Sequence, residues 1–586
     1  MASLRRRSTF VALMLPVLFC WVIYAPLLTV GFFDEDSWYF LNFGKRLSEA
    51  GCGAPVLKML AQSPEFAREH VRMKIGTMIW WAGTYRLFGK WVPGHHLAAL
   101  LLLIGCAVCL FFMTKTLTGQ KNTALLAAML FALFPLQVCP VGNAHTVHYL
   151  LLTLLCMGSV LVFLKTETAR KKRKIMLYGL STGLGLAAMI TAEPAWALPV
   201  LIFLTAWVRS DATLGRRFVS AAKKCIPFFV ILTGVLAATL LAAEIYGQHT
   251  EMGRRFFDYI RLPLGKLFTV VPEGLATPYF QGTWRFALSA ASLAILTAVS
   301  LLAMVTRRKQ NRSALWFSLG WVIAASLPVL QVMNSVTRPV EGEEKYLLLP
   351  LVGFAVGVAV LLTPAGAGKI VRSAGSMLAA LLVMVYGFGA MINGGYYIDQ
   401  GRQYAAVAAG LSKTTQSAPK NAKMLLVYPK HRADWERLLA AFLDVTFGEK
   451  SERRWFFIAD GRLLPLVDGL LPDGTVPRFA LPDEPNRDIP FLDRGYLQNT
   501  DHFAKILVPF NDSVRVIAAV ENGTKNLTNE LWMLTFTPNP PESVMIDDLI
   551  QTGETYRFRA GNLPGAITGW VLLADGYLLD YQYGRF

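Results

Sequence analysis

Long apolar runs separated by short polar loops fill the first two thirds of the chain. Eleven are long enough to approach or cross a hydrocarbon core of about 30 Å. They lie near Ser8–Val30, His95–Thr114, Thr123–Val141, His148–Leu164, Ile175–Ile190 and Pro194–Val208, then near Ile226–Tyr246, Phe286–Thr306, Ala314–Met333, Tyr346–Thr363 and Ser376–Asn393. After Asn393 the period changes. Met424–Pro429 and Trp455–Asp460 read as strands around an amphipathic helix at Ala433–Val445. KILVPF, VRVIAAV, ELWMLTF, TYRFRA and GWVLLADGYLLDYQY are strand-like and broken by Gly, Pro and Asn. The pattern predicts a polytopic α-helical membrane protein of about 11 transmembrane helices over residues 1–393. A mixed α/β domain over 394–586 follows.

The loops orient the chain. Arg5–Arg7, Lys115 with Lys121, Lys165 with Arg170–Lys174, Arg209 to Lys224, Arg307–Arg312, and Lys369 with Arg372 all fall in alternate loops. By the positive-inside rule that side is cytoplasmic, so an odd number of spans puts 394–586 outside. The first span follows three arginines, but no small-residue cleavage site follows its apolar stretch, so it reads as an uncleaved anchor. Two outside loops, 31–94 and 247–285, are long. The first carries Trp38, Tyr39, Trp80, Trp81, Tyr85 and Trp91 among basic residues, which suits helices lying on a membrane surface.

Composition agrees with this layout: 54% of residues are apolar and 16% charged, against roughly 25% charged in an average globular protein. The net charge of +18 suggests a nucleic-acid binder until it is divided along the chain. The first 393 residues hold 37 basic and 16 acidic side chains, and the remainder 20 and 23. The excess therefore sits in membrane loops, and no nucleic-acid partner is expected. Seven cysteines, none after Cys225, form neither a disulfide framework nor a zinc spacing.

Candidate chemistry concentrates on the outside. Gly31–Asn42, GFFDEDSWYFLN, places Asp34, Glu35 and Asp36 directly after the first span. Three adjacent acids repel one another and either stay hydrated or meet something cationic. They can serve as a general base, as ligands to a divalent cation, or as the acidic start of a solvated helix. Glu193 lies near the outer end of a span, where an acid is a functional candidate or a capped helix end. Arg338 and Lys345, with Tyr346, precede a span in a short outside loop, placed to neutralise a lipid phosphate or to snorkel to the headgroups. His145 and His148 share a helix face. Without further ligands at suitable spacing they read as pocket lining rather than a metal site. His95 and His96, at the start of a span, read as interfacial.

These segments resemble, in order, those of the GT-C membrane glycosyltransferases, especially the protein O-mannosyltransferases and the bacterial relatives of the tetratricopeptide-containing O-mannosyltransferases. The acidic motif after the first span is similar to theirs. Pro93–Phe112, Leu125–Val141, Met189–Leu204 and Glu343–Gly357 resemble successive segments of that group. The resemblance implies a polyprenyl-phosphate-linked sugar as donor and a glycan, lipid or protein as acceptor. It implies an inverting transfer on the extracytoplasmic face, with no nucleotide-sugar site. Asp34 matches the family's first-loop acid, and Asp36 is the alternative if the motif is read as the pair Glu35-Asp36. The chain departs from the family where it carries Phe134, Gln137 and Cys139 in place of His and Glu. It also has Ala192 for a Lys and Lys345 for an Arg, which keeps the charge but loses the bidentate fork.

The expectation is a GT-C-like bacterial inner-membrane glycosyltransferase, with N-terminus cytoplasmic and C-terminal domain periplasmic. Its partners would be lipid-linked donor, acceptor and membrane lipids. A non-catalytic or transporter-like protein of envelope polysaccharide assembly is the alternative. Transporters often carry inverted repeats, and this chain shows none.

Overall fold

A computed structural model describes residues 2–32, 35–50, 75–210, 213–245, 309–330, 343–363 and 368–417. Beyond these it describes residues 271, 442, 445–447 and the strands given below. Thirteen helices are described. They are α1 (Ala2–Tyr24), α2 (Glu35–Ala50), α3 (Ile75–Phe88), α4 (Val92–Thr118), α5 (Lys121–Leu133), α6 (Val138–Gly142) and α7 (Val147–Thr166). These are followed by α8 (Lys171–Met189), α9 (Leu198–Arg209), α10 (Leu214–Ile245), α11 (Lys309–Ser326), α12 (Leu348–Leu362) and α13 (Lys369–Ser417). The contacts divide the chain into two compact units: Met1–Val30 with Phe43–Asp399, and Gly31–Asn42 with Gln400–Phe586.

Among the described residues seven helical stretches are long and apolar enough to span a membrane, and eight if a bent pair is one span. The bent pair is Lys121–Leu133 with Pro135–Gly142, which turn by 51°. The chain is thus an integral, multi-pass membrane protein, but the expected eleven spans are not all found. Ile175–Ile190 is helical as part of α8, but four basic residues fill that helix's first turn. Pro194–Val208 is a 3₁₀ turn followed by a helix of only 12 residues. Phe286–Thr306 and the loop 247–285 lie outside the described residues, apart from Val271.

The first unit is a helical bundle. α12 sits in its middle, packed on α5 and α11, with Leu348–Val360 buried throughout. α4 packs on α1, α5 and α7, while α7 pairs with α8 as an antiparallel hairpin. That hairpin is clasped halfway along. Ser159 Oγ donates to Ser181 O and Ser181 Oγ to Ser159 O, both at 2.8 Å. α4 stops at Gly119, whose φ of 69° is left-handed and easy only for glycine. Close approach of α11 and α12 requires Gly353, where a Cβ would meet Ser318 O at 2.7 Å. Ser318 Oγ and Trp321 Nε1 donate across this contact to Gly353 O and Leu349 O.

The bundle has two chemically different ends, fixed by connectivity. α7 runs from Val147 to Thr166 and α8 returns, so Met189 comes back to the level of Val147. Tyr24 Oη donates to Ala132 O at 2.9 Å, bringing the end of α1 to the end of α5. Thr123 and Thr363 touch hydroxyls at 2.6 Å at the opposite end. Lys115, Lys121, Lys165, Arg170–Lys174, Arg209, Arg217, Arg312 and Lys369 therefore gather at one end. Glu167 bridges Arg209 at 3.7 Å and Lys224 at 3.0 Å there.

The second unit carries the strands. One five-stranded sheet has the order β3-β1-β2-β4-β5, built from Arg478–Ala480, Met424–Val427, Trp455–Ile458, Ala504–Phe510 and Val514–Val520. β1 lies parallel to β2 and β3, whereas β4 is antiparallel to β2 and to β5. A three-stranded antiparallel sheet joins β10 (Tyr577–Arg585), β9 (Ile567–Ala574) and β6 (Met533–Phe536). β7 (Leu549–Thr552) and β8 (Thr555–Phe558) form a hairpin. Most of the expected helix at Ala433–Val445 lies outside the described residues, and α13 runs without a break through Asn393 and Gly394.

Gly353→Val should lower the midpoint of thermal unfolding in detergent, with overpacking costing about 1–3 kcal/mol. Gly179→Ala, where an added Cβ meets nothing within 4 Å, should leave the midpoint unchanged or slightly higher.

Candidate functional site

The end of the bundle opposite the basic loops is built from interrupted helices. α5 stops at Leu133 because Pro135 holds Phe134 extended, at ψ 130°. A 3₁₀ turn (Pro135–Gln137), α6 and a second 3₁₀ turn (Ala144–Thr146) lead into α7. Thr146 Oγ1 donates to Asn143 O at 2.8 Å and so fixes the last corner.

This corner carries the two histidines. His148 Nδ1 lies 2.8 Å from His145 O, so Nδ1 is the protonated, donating nitrogen. Both side chains are buried. The His148 ring lies 4.3 Å from that of Tyr149, and Tyr149 meets Tyr346 edge-on at 5.4 Å. Lys345 Nζ stands 5.8 Å from the Tyr149 ring centre and 5.4 Å from that of Tyr346, inside cation–π range. Lys345 and Tyr346 belong to a 3₁₀ turn, Glu343–Leu347, that opens into α12. The structure thus brings His148, Lys345 and Tyr346 together through Tyr149, which the sequence did not single out.

Glu193 begins the 3₁₀ turn Glu193–Ala197, is buried, and sits at the same end of the bundle because α8 returns to the level of the start of α7. Its corner is pinned from the first loop. Gly76 N donates to Ile190 O at 2.8 Å and Thr77 Oγ1 to Thr191 O at 2.8 Å. The Gly76 N–H and the Thr77 hydroxyl, in the first turn of α3, thereby satisfy carbonyls released where α8 ends. A Cβ on Gly76 would collide with Thr191 Oγ1, and one on Gly44 would meet Trp81 O at 2.6 Å.

Apart from Lys345, the positions that depart from the resembled segments are buried in packing or cap the backbone. Gln137 is buried and donates through Nε2 to Phe131 O at 3.0 Å. Cys139 Sγ lies 3.8 Å from Thr146 Oγ1, and Phe134 packs edge-on against Tyr386 at 4.8 Å. Ala192 is buried. His95 and His96, expected at an interface, are buried instead. His95 stacks on Trp81 at 5.7 Å, and His96 Nδ1 lies 2.7 Å from Val141 O.

In the second unit Glu35 and Asp36 occupy the first turn of α2. Their side chains, with Asp34 and Arg338, lie outside the described residues. The backbone on either side of the acids is bracketed: Trp38 Nε1 donates to Phe32 O at 3.1 Å, and the two rings meet at 5.2 Å. Trp38 also packs against Phe442 at 5.1 Å. Among the described residues no three His, Cys, Asp or Glu side chains are grouped as a metal ion would require.

No protein-family model matches the sequence, and no curated protein matches it. Solved structures do resemble it. One is the archaeal oligosaccharyltransferase AglB from Archaeoglobus fulgidus in complex with an inhibitory peptide and a dolichol-phosphate. That likeness has a TM-score of 0.43 and 10% identity, covering 75% of this chain and 64% of that one. Another is ArnT from Cupriavidus metallidurans bound to undecaprenyl phosphate, with TM-score 0.45 and 13% identity, covering 80% of this chain and 89% of that one. ArnT from the same organism in the apo state gives 0.43 and 14%, covering 80% and 95%. The chain thus spans less than two thirds of the length of the archaeal protein.

If Gly76 sets the contact between α3 and the Ile190–Thr191 corner, Gly76→Ala should lower the thermal midpoint in detergent by several degrees. Gly83→Ala on the same helix, where a Cβ meets nothing within 4 Å, should not.

Proposed function

We propose that the protein is a GT-C-type integral-membrane glycosyltransferase that moves a sugar from a polyprenyl-phosphate-linked donor to a glycan, lipid or protein acceptor on the extracytoplasmic side. The observation that carries this reading is the separation of the bundle's two ends. The basic clusters lie at one end, and Lys345, Tyr149, Tyr346, His148 and Glu193 at the other. Basic loops favour the cytoplasm, so the polar end faces outward. There a lipid-borne donor is the natural source of an activated sugar.

In this reading the acceptor hydroxyl gives its proton to the Asp34 carboxylate, with Asp36 as the alternative base, and its oxygen attacks the anomeric carbon. The bond from that carbon to the lipid phosphate breaks on the opposite face, so the configuration inverts. Lys345 and Arg338 meet the charge that grows on the departing phosphate. Charge-assisted contacts of this kind roughly double the strength of neutral ones. Tyr149 and Tyr346 hold the Lys345 ammonium in place while leaving its N–H donors available. Glu35, Glu193, His145 and His148 line the acceptor or sugar path. Gly31–Asn42 and Gln400–Phe586 guide the acceptor, and the bacterial inner membrane is the expected location.

Proteoliposomes supplied with a panel of radiolabelled polyprenyl-phosphate sugars test the reading. Asp34→Asn should cut turnover by a hundredfold or more, about 2.7 kcal/mol of barrier. If Asp36→Asn does so instead, Asp36 is the base. Unchanged turnover in both would remove these acids from the mechanism, and no turnover of any donor by folded wild type would favour the assembly-protein reading. Lys345→Ala should raise the donor KM about tenfold, and Lys345→Arg should recover most of it.

A further inference from the structure

The segment that carries the first-loop acids is held on both sides by residues from the far end of the sequence, all within the second compact unit. Before the acids, the backbone at Gly31 runs against α13: a Cβ built there would lie 3.4 Å from Gly401 O and 3.7 Å from Ala405 Cβ. After them, Trp38 stands one turn into α2. Its indole lies edge-on to Phe32 at 74° and to Phe442 at 78°, with ring centres 5.2 and 5.1 Å away. Trp38 Nε1 also donates to Phe32 O at 3.1 Å. All three side chains are buried. They form a short column in which Phe32 precedes the acids, Trp38 follows them, and Phe442 backs Trp38 from the C-terminal region.

Edge-to-face contact is a favoured geometry for aromatic rings, so an indole set between two rings with its N–H engaged has little freedom to turn. Phe32 and Trp38 thus meet across the acidic triplet. Repulsion among three adjacent acids works against any single arrangement of them, so their place is set by what holds the chain on either side. A group that takes a proton in a reaction must stand within about 0.5 Å of its productive position. Misplacement by about 1 Å can cost about a hundredfold in rate. We propose that Phe442 is a positioning residue for the first-loop acids. By backing Trp38 it fixes the Phe32–Trp38 closure, and with it the backbone that carries Asp34, Glu35 and Asp36. The consequence for sugar transfer rests on the glycosyltransferase reading, whereas the placement of the segment does not.

Hydrogen–deuterium exchange of the purified full chain in detergent reads that placement without any substrate. Phe442→Ala should speed exchange across Gly31–Asn42 by about tenfold or more, and Phe442→Tyr, which keeps the ring, should restore most of the protection. Gly353→Val, which overpacks α11 against α12, should leave that segment unchanged, so lost stability alone does not produce the effect. Should Phe442→Ala fail to fold, Phe442→Leu decides the matter: it keeps apolar volume, removes the ring, and should speed exchange in the same segment. In proteoliposomes supplied with the donor that wild type uses, Phe442→Ala should lower kcat by about tenfold or more. The donor KM should stay unchanged, because the acids and not the donor contacts are displaced. Unchanged exchange across Gly31–Asn42 in the Ala and Leu variants would overturn the proposal. So would exchange that rises equally in α4 and α7, or a raised donor KM at unchanged kcat. Faster exchange confined to Gly31–Asn42 together with no turnover by wild type would support the placement and count against the glycosyltransferase reading alone.

Discussion

Inside a bilayer no water is on hand to satisfy a backbone group that a helix releases, so every interruption of a helix must be answered by the protein itself. The polar end of this bundle is organised around that demand. Carbonyls freed where α5 stops are taken by Gln137 Nε2 and Tyr24 Oη. His96 meets Val141 O where α6 runs out, and Thr146 closes the turn onto Asn143 O. The corner after α8 is answered by Gly76 and Thr77 from the first loop. Each answer places a buried polar group beside a break in a helix. The same breaks bring His148, Tyr149, Lys345 and Tyr346 to one place. Site and scaffold are therefore made by one constraint.

The two ends divide the work. At the basic end helices run to their full length, loops are short, and glycine at 119 turns the chain sharply. At the polar end they break early, bend by 51° at Phe134, and pass through successive 3₁₀ turns. Irregular backbone at membrane depth is tolerated where protein buries it or where it lines a cavity. Here it is buried by protein, and buried polar side chains converge beside it. Close packing beneath it rests on small residues: Gly353 allows α11 and α12 to touch, and Gly142 sits under the Tyr397 ring.

Much of this was legible in the sequence because hydrocarbon imposes a length and a polarity that can be read directly. Long runs such as Val92–Thr118 and Lys345–Leu362 announce themselves. The alternating basic loops indicated one charged end. What could not be read was whether a marginal run stands alone. Ile175–Ile190 and Pro194–Val208 look like spans by composition, yet the helix holding the first spends its opening turn on four basic residues, the second is cut short by its 3₁₀ start, and neither is long and apolar enough to count as a span. Lys345, Tyr346 and His148 carried their own signal, as charged or titratable residues beside apolar runs. Tyr149 carried none, because its role depends on a partner far along the chain. The positions 134, 137 and 139 stood out for departing from a resembled motif, and the structure gives them packing and backbone-capping roles. His95 and His96 misled in the other direction: histidines at a helix start suggest an interface, but their ring contacts and carbonyl partners lie inside the protein.

The reciprocal serine clasp between α7 and α8 bears on how the chain enters the membrane during synthesis. α8 offers only Ile175–Met189 beyond its basic first turn, and that stretch includes Tyr178, Ser181, Thr182 and three glycines. Presented alone to a translocon, such a segment has little drive to leave water. α7, apolar enough with its preceding turn to pass as a span, has that drive. Ser159 and Ser181 each cover the other's polar group at mid-depth, so the pair hides together what α8 cannot hide by itself. The two helices are thus suited to partition as one hairpin, with the basic run Arg170–Lys174 keeping their shared turn out of the hydrocarbon.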